Sequence, residues 1–85
     1  MTEVDDRLLR CFAAVFPDMP PAELARASSE NTASWNSLSA VTLVAVVEEE
    51  FGLSVAPMEL AELESFQAFR DYISKKLAVA RSEVE

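Results

Sequence analysis

Residues 34–55 read SWNSLSAVTLVAVVEEEFGLSV, and their pattern decides the fold. Asn36 is a good N-cap, because its side-chain oxygen can accept the free backbone N–H groups of a helix's first turn. Ser37 then takes the first helical position, with its hydroxyl at the helix entrance. Gly52 suits the left-handed residue that ends a helix. With Leu43 as the origin, Ala40, Val44, Val47 and Phe51 lie within about 100° of it and predict a core-facing stripe, with Val46 and Glu50 on its flank. The opposite side carries Leu38, Val41, Thr42, Ala45, Glu48 and Glu49. Half of these are apolar, whereas the outer helix of a plain bundle has a polar outer face. This face is therefore either covered by the neighbouring loop or reserved for a partner.

Helical patterns flank this segment. Val4, Leu8, Cys11, Phe12 and Val15 share one side of a first helix, with Asp6 and Arg10 opposite. Thr2 and Asp5 give a weak start signal, and Pro17 marks the stop. Cys11, Phe12 and Phe16 are read as core. Between residues 17 and 35 the period is lost. Pro20 and Pro21 introduce one helical turn over residues 22–25, and residues 28–34 form a polar loop. A loop this long needs a function or apolar anchors, and Met19, Leu24 and Trp35 are the candidates. Beyond Gly52, an extended link leads to Pro57 and a brief helix over residues 57–60. Ser65 can cap a last helix whose Phe66, Phe69, Ile73, Leu77 and Ala80 share a face, with Lys75, Lys76 and Arg81 toward its carboxyl end.

Composition narrows the function. Eighty-five residues, 51% of them hydrophobic, make one domain spanning residues 1–85 with one modest core. One Gly and four Pro are few for an all-β chain. The expected fold is all-α, a small four-helix bundle with a long first loop and a short third helix. A net charge of −8 argues against nucleic acid and anionic membranes as partners and favours basic patches on other proteins. The chain has no histidine and one cysteine, so an intramolecular disulfide, a cysteine metal cluster and histidine catalysis are excluded. No signal peptide or membrane-spanning stretch appears in the sequence, and a cytoplasmic monomer without a metal is expected.

The Asn-Ser-Leu run at a helix start, with the E-E-E-F-G ending, resembles acyl carrier proteins. The likeness is tightest from Trp35 to Val55, and the order and lengths of the helices match across essentially the whole chain. It implies that Ser37 receives a covalent 4'-phosphopantetheine arm from a phosphopantetheinyl transferase, the hydroxyl acting as nucleophile on coenzyme A. It implies further that acyl groups ride on the arm's thiol as thioesters between acyl-loading and acyl-transferring enzymes. The chain would be a carrier with no catalytic residue of its own. Asn36, Leu38, Val41, Thr42, Ala45, Glu48 and Glu49 become the expected docking residues. Trp35, first a loop anchor, is in second place a contact for cargo or partner.

The sequence also departs from the family pattern. Asn36 stands where an aspartate is usual, and Ser39 and Thr42 stand where many fatty-acid carriers have acidic residues. The first half of the docking helix is thus nearly neutral, which points to polyketide or other specialised acyl assembly rather than housekeeping fatty acid synthesis. The Gly-Gly-x-Ser pattern common in peptidyl carriers is absent. Two alternatives remain open: a carrier-fold interaction module without a prosthetic group, and an aminoacyl or peptidyl carrier. A small enzyme is the weakest reading, because no base accompanies any serine. Met1 and the short ends favour a free-standing protein.

Overall fold

The computed structural model describes residues 3–84, with side chains through residue 78. The start signal at Thr2 and the side chains of Ala80 and Arg81 lie outside the described residues. Three long helices carry the fold: α1 (Glu3–Val15), α3 (Ser37–Phe51) and α4 (Phe66–Val84). The single turn α2 (Pro21–Leu24) interrupts the long first loop, and a 3₁₀ helix (Pro57–Glu62) precedes α4. The expected all-α arrangement is present, with its short third helix in 3₁₀ form and two residues longer than the spacing suggests.

Helix α1 packs against α2, α3 and α4 and forms the centre of the bundle. Its Leu8 and Phe12 meet Leu43 and Val47 of α3 and Phe69 and Ile73 of α4 in one buried cluster. Phe12 is the hub of the aromatic contacts. Its ring lies 5.6 Å from Trp35, 5.1 Å from Phe66 and 5.5 Å from Phe69, all edge-on. Such tilted pairs add roughly 0.5–1.5 kcal/mol each beyond area burial. Arg7 ties α1 to the end of α3. Its Nε donates to Glu50 Oε2 at 2.8 Å, its Nη2 donates to the Glu50 carbonyl, and its guanidinium lies 4.5 Å from the Phe51 ring centroid.

The long loop is held by more than its apolar anchors. Leu24 and Trp35 are buried and Met19 is partly so, as the sequence suggests. In addition, Ser29 N–H donates to the Glu64 carbonyl at 2.8 Å, and Phe66 N–H donates to the Ala27 carbonyl at 2.9 Å. These bonds pair Ser28 with Ser65 across an isolated antiparallel bridge. Asn31 braces the turn, its Oδ1 accepting the Ser28 N–H and the Thr32 hydroxyl while its Nδ2 donates to the Arg26 carbonyl. Ser65 also caps α4, accepting the Ala68 N–H at 3.0 Å.

Cys11 is buried in the α1 face. Burial, helped by the nearby Glu50 charge, pushes its thiol up to about 11, so almost no thiolate forms near neutral pH. A thiol reagent is expected to leave the native unmodified protein unlabelled and to label one cysteine after denaturation. Rapid labelling of the native protein would place Cys11 at the surface.

Candidate functional site

The amino terminus of α3 is organised by Asn36. Its backbone is extended, and its Oδ1 accepts the N–H groups of Leu38 at 2.9 Å and Ser39 at 3.0 Å. Ser39 returns the favour: its Oγ accepts the Asn36 N–H at 2.8 Å and donates to the Ser34 carbonyl at 2.8 Å. This reciprocal capping box gives Ser39 a structural role that sequence reasoning missed. The signal was its spacing of three from Asn36, although serine is not the usual glutamate or glutamine. At the other end Gly52 adopts φ 64°, ψ 40°, and its N–H donates to the Glu48 carbonyl at 2.9 Å. A side chain there would be strained by that positive φ.

Ser37 occupies the first turn and is exposed. Its hydroxyl takes no part in the hydrogen bonds of the cap. Two of the first-turn N–H groups are already satisfied by Asn36, so the attraction of this end for an anion comes mainly from the helix dipole. Beside Ser37 lies an open cleft of about 250 Å³. Trp35, Ala40, Leu60 and Leu63 form its apolar lining, while Ser29, Asn36, Ser37 and Glu64 supply the polar part.

The 3₁₀ helix that brings Leu60 to this cleft is fixed by a short polar relay. Glu59 Oε1 accepts the Ala56 N–H at 3.1 Å and the Tyr72 hydroxyl at 2.8 Å. The Tyr72 bond, then the Ala56 bond, holds the Glu59 carboxyl below its ordinary value. Desolvation, and then donation to Glu59, pushes the Tyr72 hydroxyl up to about 12. The carboxylate and neutral phenol therefore persist together across neutral pH.

The outward face of α3 is bare. Leu38 is 75% exposed and Val41 58%, so the alternative in which the loop covers them is overturned. Thr42 and Ala45 are exposed beside them, and the Thr42 hydroxyl turns back to donate to the Leu38 carbonyl at 2.9 Å. That bond leaves the surface more apolar than the sequence suggests. Glu48 departs from the expectation of a freely presented docking charge. It is half-buried, and its Oε2 accepts the Val55 N–H at 2.7 Å, fixing the link after Gly52. Since Glu50 is engaged by Arg7, Glu49 is the exposed carboxylate of the triplet outside these two bonds. Met58, 86% exposed on the 3₁₀ helix, is a further bare apolar side chain, for which sequence reasoning gave no role.

The two glutamates should separate in denaturant melts. Glu48→Ala is expected to lose roughly 1–2 kcal/mol by freeing the Val55 N–H, and Glu49→Ala to stay within about 0.5 kcal/mol of wild type. Equal losses would mean that the Val55 bond contributes nothing.

Comparison with known families agrees with this geometry. Residues 6–73 match the family model described as the phosphopantetheine attachment site. The chain belongs to that family. No curated protein matches it closely enough to report. The phosphopantetheine attachment family carries its cofactor, 4'-phosphopantetheine, covalently. An exposed hydroxyl free of the cap, on a helix amino terminus beside an open cleft, fits such a group. Among the described residues no helix is long and apolar enough to cross a membrane.

Proposed function

We propose that this protein is an acyl carrier whose 4'-phosphopantetheine is attached at Ser37, and that it presents acyl intermediates to partner enzymes in polyketide or other specialised acyl assembly. The observation that carries the reading is the exposed Ser37 hydroxyl, uncommitted to the cap and lying inside the matched family region. When bound, the arm supplies a thiol that holds an acyl group as a thioester. The chain's own part is positional. Asn36 and Ser39 keep the first turn rigid, so the Ser37 hydroxyl is presented at a fixed place. The dipole of α3 favours the negative charge of a phosphodiester there. The capping groups are neutral, so the proton acceptor for the serine hydroxyl comes from the modifying enzyme. The protein is thus a substrate of its partners rather than a catalyst.

Docking is assigned to Asn36, Leu38, Val41, Thr42, Ala45 and Glu49. A partner would bury the apolar centre, with Glu49 meeting a basic residue at the rim and acting mainly on association rate. Glu48 contributes to this surface chiefly by holding the link that follows the helix. The lack of charge along the first half of the face favours partners other than those that read an acidic helix.

Incubation with coenzyme A and a promiscuous phosphopantetheinyl transferase tests the reading. Intact mass should rise by one phosphopantetheine; an unchanged mass would leave a carrier-fold interaction module in its place. Asn36→Asp is a second test. Aspartate keeps the cap and adds about 0.3–1 kcal/mol of favourable charge at the exposed helix end. It should also load faster, because it restores the carboxylate that transferases of the family meet. Loading rates measured side by side decide this, and a slower variant would show that the transferase reads Asn36 differently.

A further inference from the structure

We infer that Trp35 closes the interior of the domain to long alkyl chains, so that the cargo is a short acyl group resting against the cleft beside Ser37. This rests on the carrier reading and adds the class of its cargo. Trp35 lines the cleft, yet it is only 8% exposed. Its ring stacks on Phe16 at 5.6 Å, meets Phe12 edge-on at 5.6 Å and lies 6.3 Å from Phe69. Leu63, another apolar lining residue, is also buried. Phe12 and Phe69, against which Trp35 packs, are almost wholly shielded. The cleft therefore ends on a packed aromatic wall.

A long alkyl chain gains stability only where its methylenes leave water and meet atoms on every side. The open cleft covers one side of such a chain, and Ser29, Asn36 and Glu64 add polar rather than apolar surroundings. Entry past Trp35 requires its ring to leave Phe12, Phe16 and Phe69 at once. The flanking backbone holds the ring in place, with Trp35 N–H donating to the Thr32 carbonyl at 3.0 Å and Asn36 locked in the cap immediately after it. A short acyl group needs no such displacement, and any oxygen substituents it carries meet hydrogen-bonding partners at the polar lining. A smaller side chain at position 35 would leave apolar space of the kind that a chain can fill.

The test loads the protein with a promiscuous transferase from acetyl-, hexanoyl- and decanoyl-coenzyme A, with intact mass confirming each product. For wild type, melting temperature, the rate of thioester cleavage by hydroxylamine and the emission of Trp35, the sole tryptophan, should be independent of chain length. In Trp35→Leu the decanoyl form should melt several degrees above the acetyl form and be cleaved several-fold more slowly. A wild-type decanoyl form that is shielded from hydroxylamine, or that shifts Trp35 emission, overturns the inference whether or not the variant folds. Chain-length independence in a folded Trp35→Leu overturns the role of Trp35. Absence of loading in wild type removes the carrier reading itself, and this inference with it.

Discussion

Ser37→Ala is expected to abolish the coenzyme A-dependent mass increase completely while the circular dichroism and melting temperature stay close to wild type. The loss is total because the hydroxyl oxygen is the atom proposed to bear the phosphodiester, and alanine has no substitute for it. The fold is spared because Asn36 Oδ1 accepts the Leu38 and Ser39 N–H groups and Ser39 Oγ accepts the Asn36 N–H, all without the Ser37 side chain. An exposed substitution outside such a network stays within about 0.5 kcal/mol. Modification that persists in Ser37→Ala would move the site elsewhere, Ser34 and Ser39 being the nearest serines in the sequence.

The second large effect separates core from docking face. Phe12→Ala should cost roughly 3–5 kcal/mol, because it empties a fully buried site and removes a ring packed against Phe16, Trp35, Phe66 and Phe69. Against a whole stability of about 5–15 kcal/mol for such a domain, this is a large share, so the variant should melt far below wild type. Val47→Ala, fully buried in α3, should lose roughly 1–3 kcal/mol by the same mechanism. Leu38→Ala should leave denaturant stability within about 0.5 kcal/mol of wild type, since its side chain is three-quarters exposed. It should instead slow loading and transfer by partner enzymes. Urea melts set beside transferase kinetics distinguish the three variants, and a Leu38→Ala protein that melts early while loading normally would invert the assigned faces.

Helix α3 was legible because its information is local. The spacing of Leu43, Val44, Val47 and Phe51 states which side is buried, and Asn36 and Gly52 carry their roles in their own chemistry. The same holds for Cys11 and Phe12 on α1. The outward exposure of Leu38 and Val41 followed from the same period, although the loop could have covered them. What periodicity cannot encode is the pairing of groups that the fold alone brings together. Glu48 looks like any exposed glutamate until the link after Gly52 turns back and offers it the Val55 N–H. The Arg7–Glu50 pair and the bridge between Ser28 and Ser65 join residues dozens of positions apart. Trp35 was readable as a loop anchor, but its place in the wall of a cleft beside Ser37 depends on where Leu60 and Leu63 come to lie.

Fragmentation of the wild-type protein after incubation with coenzyme A and a phosphopantetheinyl transferase, with the modified serine located by mass spectrometry, bears most directly on the carrier assignment. One phosphopantetheine on Ser37, with Ser34 and Ser39 unmodified, is the expected result. A label on either neighbour, or no label under conditions that modify a control carrier, contradicts it.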